Sequence, residues 1–88
     1  MPWTVRITRS AERQLEALGK PAAQRIRDFL HDRVEGNTSP YRIAKALVGN
    51  KQGFFRFRVG DYRIVAELRQ DELLVLVVQA GHRKDIYD

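Results

Sequence analysis

A glycine–aspartate pair between two strand-like segments is the feature that most restricts how this chain can fold. Residues 54–59 and 62–69 alternate apolar with polar side chains, and only Gly60 and Asp61 separate them. A two-residue loop with glycine first is typical of a type II′ turn, in which the two flanking residues pair with each other. The two segments therefore predict a β-hairpin of fixed register.

This register gathers arginines on one face of the hairpin. It places Arg58 directly opposite Arg63, and it places Arg56 on the same face, diagonal to Arg63. Opposed side chains in such a ladder have Cβ atoms about 4.5–5.5 Å apart, and like charges there are destabilising. The arrangement favours an anion-binding site over the alternative, a solvated face with splayed side chains. We expect Glu67 to offset part of the repulsion, and a three-residue loop would separate the opposed pair.

The other segments predict an α+β domain. Residues 3–7 alternate like a half-buried strand, and two apolar stripes of helical period are separated by residues 19–21. Residues 73–80 are apolar on both faces, which is typical of a central strand. The order β-α-α-β-β-β predicts a helical hairpin packed on one face of a small, mostly antiparallel twisted sheet, in one domain over residues 1–88.

The helix ends are also marked. Thr8 or Ser10 can cap the first helix, and Gly19 ends it. We expect Pro21 at the first position of the second helix, and Gly36 just after the end of that helix. Two helices with so short a break between them form an antiparallel hairpin.

Composition excludes several classes of protein. The 88 residues contain no cysteine, which excludes disulfides, a thiolate nucleophile and a cysteine-based zinc site, and two histidines make a His-rich metal centre unexpected. The chain has no run of 18 apolar residues and no apolar leader, so we expect a cytoplasmic protein without a membrane partner. Twelve of its 16 cations are arginine and the net charge is +5. This charge suggests nucleic acid, although a solvated basic surface would give the same value.

The last residues add further nitrogen-bearing side chains at the end of the sheet. His82, Arg83 and Lys84 follow a strand that ends in glycine. Tyr87 is a candidate for stacking on a base, and packing back on the core is an equal alternative. In an unbroken strand Arg83 shares a face with residues 73, 75 and 77. To join the other arginines it therefore needs a kink at Gly81 or a 70–71 turn longer than two residues.

These patterns together resemble a known family. Residues 56–65 read Arg-Phe-Arg-Val-Gly-Asp-Tyr-Arg-Ile-Val, an apolar strand and Gly81-His82-Arg83 follow, and residues 45–49 carry a Lys-x-Leu-x-Gly-like segment. The order and spacing are similar to the RelE group of the RelE/ParE toxin superfamily, over nearly the whole chain.

The resemblance implies a toxin of a type II toxin–antitoxin system. Such a toxin is a ribosome-dependent endoribonuclease that cuts mRNA in the A site. The 2′-hydroxyl attacks the adjacent phosphate, without a metal or cofactor. The expected partners are a cognate RelB-like antitoxin, the 70S ribosome and mRNA.

The resemblance also implies site residues. The catalytic set falls on Arg56, Arg58, Arg63, Arg83 and Tyr87. We also expect RNA contacts from Lys45, Lys51, His82 and Lys84.

Two departures from the family pattern matter. The strand pair is lysine in the best-known pattern and arginine here, and arginine cannot act as a base. The pair should instead stabilise the transition state electrostatically, which leaves His82, Glu67 or a ribosomal group as the base. Tyr87 lies four residues after Arg83, slightly closer than in the pattern.

Three other functions remain open from the sequence. The first is a ParE-like inhibitor of DNA gyrase, a protein-binding toxin without nuclease activity. The second is a nucleic-acid-binding module without catalysis, although nothing here resembles a groove-reading helix. The third is a toxin inactivated by the exchange of lysine for arginine.

Overall fold

The computed structural model, which describes residues 2–47 and 53–86, has two α-helices packed on one face of a five-stranded sheet. The elements are β1 (Thr4–Ile7), α1 (Arg9–Leu18), α2 (Lys20–Phe29), β2 (Lys45–Ala46), β3 (Phe54–Val59), β4 (Tyr62–Arg69) and β5 (Leu74–His82). The strand order is β1-β5-β4-β3-β2, with β1 parallel to β5 and the other neighbours antiparallel. The predicted α+β class is confirmed, and the short strand β2 is an addition to it.

The helical hairpin begins and turns at the predicted residues. The side-chain oxygen of Thr8 accepts a hydrogen bond from the Ala11 N–H at 3.2 Å, so Thr8 caps α1. Gly19, with φ +94°, ends α1 and directly precedes α2. Pro21 is the second residue of α2 rather than the first, where its missing N–H is still harmless. Each of these helices has ten residues, too few to cross a membrane.

The apolar stripe predicted for one long second helix is divided between α2 and a π-helical turn, Leu30–Val34. The Glu35 N–H donates to the Leu30 carbonyl at 2.8 Å, a five-residue step that widens the last turn. Leu30 and Val34 are nonetheless buried. Gly36 follows with φ +80°, as predicted for the residue after the helix.

The core lies between the helical hairpin and the sheet. Leu15, Ile26, Phe57, Ile64 and Val77, one from each helix and from β3, β4 and β5, are fully buried there. Burial of a side chain of this size contributes about 1.5–3 kcal/mol, so apolar contacts hold both helices on this face. The other face of the sheet, called the open face below, carries neither α1 nor α2.

The last strand, β5, is the interior strand that its apolar sequence predicts. It lies between β4 and β1, and Val5 of β1 pairs with Val75. The Thr4 N–H donates to the Leu73 carbonyl at 2.9 Å where the parallel pairing begins. β1 thereby fixes the first half of β5, residues 74–77, whereas the pairing with β4 continues to His82, next to the residues that follow the strand.

Candidate active site

The hairpin turn has the predicted geometry. Gly60 has φ +57°, whereas Asp61 does not have a positive φ, which is the pattern of a type II′ turn. Val59 pairs with Tyr62. The register predicted from the two-residue loop is therefore confirmed along the whole hairpin.

This register brings basic side chains together on the open face. Arg58 pairs with Arg63, and Arg56 pairs with Val65 on one side and with Lys45 of β2 on the other. Paired residues of a sheet project from the same face. Lys45, Arg56, Arg58 and Arg63 therefore share the open face.

A β-bulge in β5 brings Arg83 to the same face. The β4–β5 pairing runs from Ala66 with Val77 to Val65 with Gln79, so Val78 is an extra residue. The alternation of β5 is inverted beyond it, and Gly81 comes to lie opposite Arg63. The turn before β5 spans residues 70–73, longer than two residues as one prediction required. A turn of four residues preserves the alternation just as a turn of two residues would. The bulge at Val78, rather than the turn or a kink at Gly81, therefore places Arg83 on the open face.

The chain beyond β5 is tied to the hairpin turn. The Arg83 N–H donates to the Asp61 carbonyl at 2.7 Å, and Arg83 Nε lies 4.0 Å from Asp61 Oδ1. Ile86 then folds back over Gly81, as shown by the distance of 3.2 Å between Ile86 Cδ1 and a Cβ atom built on Gly81. Ile86 and Val65 are both buried but lie outside the main core cluster. Because Val65 pairs with Arg56 and Gly81 lies opposite Arg63, these buried apolar side chains lie beside the arginines.

Arg56, Arg58, Arg63 and Arg83, called the arginine cluster below, interact electrostatically. Partial burial lowers the pKa of Arg63, and the neighbouring charges of Arg58, Arg56 and Arg83 lower it further, against the opposite effect of Asp61. Arginine stays protonated at physiological pH even so. The protein therefore holds several positive charges close together, an arrangement that an anion would stabilise.

Arg63 is held by the turn itself. Its Nη1 atom donates to the carbonyls of Gly60 and Tyr62, each at 2.9 Å. These bonds fix one side of the guanidinium and leave its other N–H groups for a ligand. The central arginine of the cluster is therefore oriented before any ligand binds.

Arg42 is a basic residue of this region that the sequence did not point to. A groove of about 400 Å³ beside the cluster is lined by Arg42, Ile43, Ala44, Lys45, Arg56 and Arg58. Arg42 lies in a 3₁₀ turn, Pro40–Ile43, that leads into β2. Neither the turn nor a two-residue strand leaves a periodic pattern that would have identified it. A larger groove of about 660 Å³, at the connection of α1 to α2, is lined by none of the cluster arginines.

The remaining predicted residues lie apart from the cluster or outside the described residues. His82 pairs with Tyr62, packs edge-on against its ring at 5.9 Å between centroids, and so faces the helical side. Lys84 is exposed in the turn after Arg83, and its N–H donates to His82 Nδ1 at 3.2 Å. Lys51 and Tyr87 lie outside the described residues.

The prediction that Glu67 relieves the arginine repulsion is not what the structure shows. Glu67 Oε1 accepts a hydrogen bond from Arg69 Nε at 2.8 Å. Glu67 lies beyond Val65 on β4, toward the opposite end of the strand from Arg63. The carboxylate beside the cluster is instead Asp61.

Known sequences of toxins match this chain over nearly its whole length. The family described as the ParE toxin of type II toxin–antitoxin systems, parDE, matches residues 5–87. Toxin RelG of Mycobacterium tuberculosis is 31% identical over 87 residues, which cover 99% of this chain and 98% of that protein. Toxin RelE of the same organism is 29% identical over 86 residues, which cover 98% and 87%.

Solved structures agree with the sequence relatives. A chain of the toxin–antitoxin complex RelBE2 from M. tuberculosis superposes with a TM-score of 0.84 at 28% identity, over 94% of this chain and 100% of that chain. A mutant of the E. coli toxin RelE in the free state superposes with a TM-score of 0.74 at 14% identity, over 96% and 86%. The fold and the family match agree along the chain, which therefore belongs to the ParE toxin family of type II toxin–antitoxin systems, within the RelE/ParE superfamily.

Proposed function

We propose that this toxin is a ribosome-dependent endoribonuclease that cuts mRNA in the ribosomal A site. In the proposed reaction the 2′-oxygen of one nucleotide forms a bond to the adjacent phosphorus, and the bond from phosphorus to the 5′-oxygen of the next nucleotide breaks. The 2′-hydroxyl proton is lost and the leaving oxygen gains one. The products are a 2′,3′-cyclic phosphate and a 5′-hydroxyl.

One observation supports this proposal above the others: Arg58 and Arg63 lie directly opposite each other, and Arg56 and Arg83 interact with the same centre. Like charges so placed destabilise a sheet, whereas a phosphate whose negative charge grows in the transition state would be stabilised by them. Guanidinium groups match phosphate oxygens in geometry. A fixed donor at such a centre is worth about 10²–10³ in rate.

Proton transfer is proposed to depend on the ribosome. Arginine does not release its proton at physiological pH. Of the two side chains that the sequence offered as bases, His82 faces the helical side against Tyr62, and Glu67 is bonded to Arg69. Orientation of the 2′-hydroxyl on the ribosome can supply much of the rate without a base from this chain.

The proposed protein partner is a RelB-like antitoxin. Structures similar to this chain are described as toxin–antitoxin complexes, namely RelBE2 of M. tuberculosis and a RelE–RelB complex of Pyrococcus horikoshii. We propose that the antitoxin of this toxin covers the arginine cluster with an acidic or apolar segment that folds on binding.

Primer extension in a reconstituted translation system tests the nuclease proposal. We expect cleavage of mRNA on ribosomes, with a 2′,3′-cyclic phosphate on the upstream product, and no cleavage of the same RNA without ribosomes. An mRNA with a single 2′-deoxynucleotide at the cut position should resist cleavage there. Arg63→Ala serves as the control for contaminating nucleases. Cleavage of naked RNA at the same sites would contradict ribosome dependence, and cleavage of the deoxy substrate would contradict the 2′-oxygen as nucleophile.

Inhibition of DNA gyrase is the second candidate, because the matching family carries the ParE description. It requires a protein-binding surface and makes no use of clustered arginines. Purified toxin added to a gyrase supercoiling reaction discriminates the two functions. Inhibition of supercoiling together with intact mRNA on ribosomes would replace the nuclease proposal.

A further inference from the structure

An arginine of the helical layer lies directly against the hairpin turn. A Cβ atom built on Gly60 would lie 2.5 Å from Nη2 of Arg25 and 2.8 Å from its Cζ. The guanidinium of Arg25 therefore occupies the space that a side chain at position 60 would need. Arg25 belongs to α2 and is exposed, so it approaches the turn from the side opposite the open face.

Three arginines from separate parts of the chain, α2, β4 and the turn after β5, thus surround one two-residue turn. Arg63 of β4 and the Arg83 N–H already occupy the carbonyls of Gly60 and Asp61. The Asp61 carboxylate lies on the Arg83 side, 4.0 Å from its Nε atom. The two backbone carbonyls of the turn are therefore hydrogen-bonded to its other two arginines, and the Asp61 carboxylate lies within ion-pair distance of Arg83.

Within the described residues, Arg25 has neither a hydrogen bond nor an ion pair. The nearby carboxylates of the helical layer have other partners. Glu12 is bonded to Arg27 at 2.5 Å, and Asp28 is bonded to Gln24 at 2.8 Å. Arg27, two residues from Arg25 on the same helix, is the contrasting case, because its charge is neutralised by Glu12.

From this arrangement we propose that Arg25 binds a backbone phosphate of RNA, at a position separate from the arginine cluster. Arg25 approaches the turn from the helical side and the cluster lies on the open face, so a second phosphodiester would meet the five N–H donors of Arg25. This inference rests on the proposed function and extends it. The phosphate belongs either to the mRNA or to ribosomal RNA, which have the same chemistry.

Arg33 provides a matched control. It is also an exposed arginine of the second helical segment, and it lies eight residues farther along, about 12 Å at the usual helical rise. Arg25→Ala and Arg33→Ala remove the same charge from the same layer. Arg25→Lys keeps the charge but loses the planar fork and should fall between wild type and Arg25→Ala.

The experiment measures a binding affinity and a KM over a range of salt concentrations. The first is binding to 70S ribosomes without mRNA, and the second is the KM for cleavage on ribosomes that carry mRNA. A lost phosphate contact lowers the slope of log affinity against log salt by about one. Wild type should therefore lose about threefold more affinity than Arg25→Ala between 50 and 200 mM salt, with Arg33→Ala like wild type.

The two measurements identify the source of the phosphate. An effect on ribosomes without mRNA assigns it to ribosomal RNA, and an effect confined to KM assigns it to mRNA. Equal behaviour of Arg25→Ala and Arg33→Ala in both would overturn the inference while leaving the nuclease proposal intact. If wild type binds ribosomes through Arg25 but cuts no mRNA, the nuclease proposal fails and the inference stands. If wild type neither binds nor cleaves, both fail.

Discussion

Two arginines on the same strand and the same face have opposite environments. Arg69, at one end of β4, donates to Glu67 at 2.8 Å and lies 3.6 Å from Glu72, and the hydrogen bond to Glu67 raises its pKa. Arg63, at the other end of β4, has partial burial and three other arginines around it, and its pKa is lowered. Residue type, strand and face are the same, so burial and the neighbouring charges account for the difference.

The difference separates a structural arginine from a ligand-binding one. The charge of Arg69 is satisfied within the folded chain, so nothing is gained when an external anion arrives. At Arg63 two backbone carbonyls accept hydrogen bonds and the Asp61 carboxylate lies nearby, while the charges of Arg58, Arg56 and Arg83 surround the same guanidinium. Folding places these charges together at a free-energy cost, and an anion recovers that cost.

The largest effect we predict is the loss of cleavage when the central arginine is removed. Arg63→Ala should reduce the rate of mRNA cleavage on ribosomes by about 10²–10³, because it removes an oriented donor at the transition state. Arg69→Ala removes the same side chain from the same face and should leave the rate nearly unchanged. Single-turnover cleavage with both variants checks this. Similar losses in the two variants would mean that the neighbours of these arginines do not determine their roles.

A second prediction tests whether the face of the sheet matters more than the charge itself. The double exchange His82→Arg and Arg83→His keeps the composition but moves the guanidinium to the side of Tyr62. We expect a loss of about 10² in the cleavage rate, because a misplacement of even 1 Å can have this effect. Arg83→Ala is the reference, and the exchange should be no more active than it. Activity near that of wild type would show that position 83 acts only through overall charge.

The environment of Arg63, at the hairpin end of β4, could be predicted from the sequence. A two-residue loop that begins with glycine admits one register, and the alternation on both strands agrees with it. The pairing of Arg58 with Arg63 therefore followed from residues 54–69 alone. The helical hairpin was predictable for a similar reason, because Thr8 and Gly19 mark its helix ends chemically.

The position of β5 could not be predicted in the same way. Its residues 74–78 are all apolar, so alternation carries no information about which side each faces, and the bulge at Val78 leaves no signal. The bulge decides that Arg83 reaches the open face while His82 faces the helical side. The same lack of pattern hid β2 and, with it, the position of Arg42 in the groove beside the arginine cluster.

A third prediction concerns stability rather than activity. Arg58→Ala should raise the free energy of unfolding by about 0.2–1 kcal/mol, because it removes the charge directly opposite Arg63. Added salt should stabilise wild type more than this variant, since screening weakens the same repulsion. Thermal unfolding of both proteins at low and high salt is the measurement. A lower Tm for Arg58→Ala at low salt would show that the opposed arginines do not repel each other in the folded chain.

The last prediction concerns the smallest effect. It tests whether Arg63 differs from Arg69 because it lacks paired carboxylates or because other arginines lie around it. Glu67→Gln with Glu72→Gln removes both carboxylates that form ion pairs with Arg69 and leaves the charge of that arginine without them. We expect a slight fall in Tm, because partly exposed ion pairs contribute little. We also expect no new stabilisation by sulfate, since one arginine without neighbours makes a weak anion site. The sulfate dependence of Tm in this variant, compared with wild type and Arg63→Ala, measures both. A sulfate effect larger than that of wild type would mean that an uncompensated charge is sufficient, and that the clustering of Arg56, Arg58, Arg63 and Arg83 is not what selects an anion.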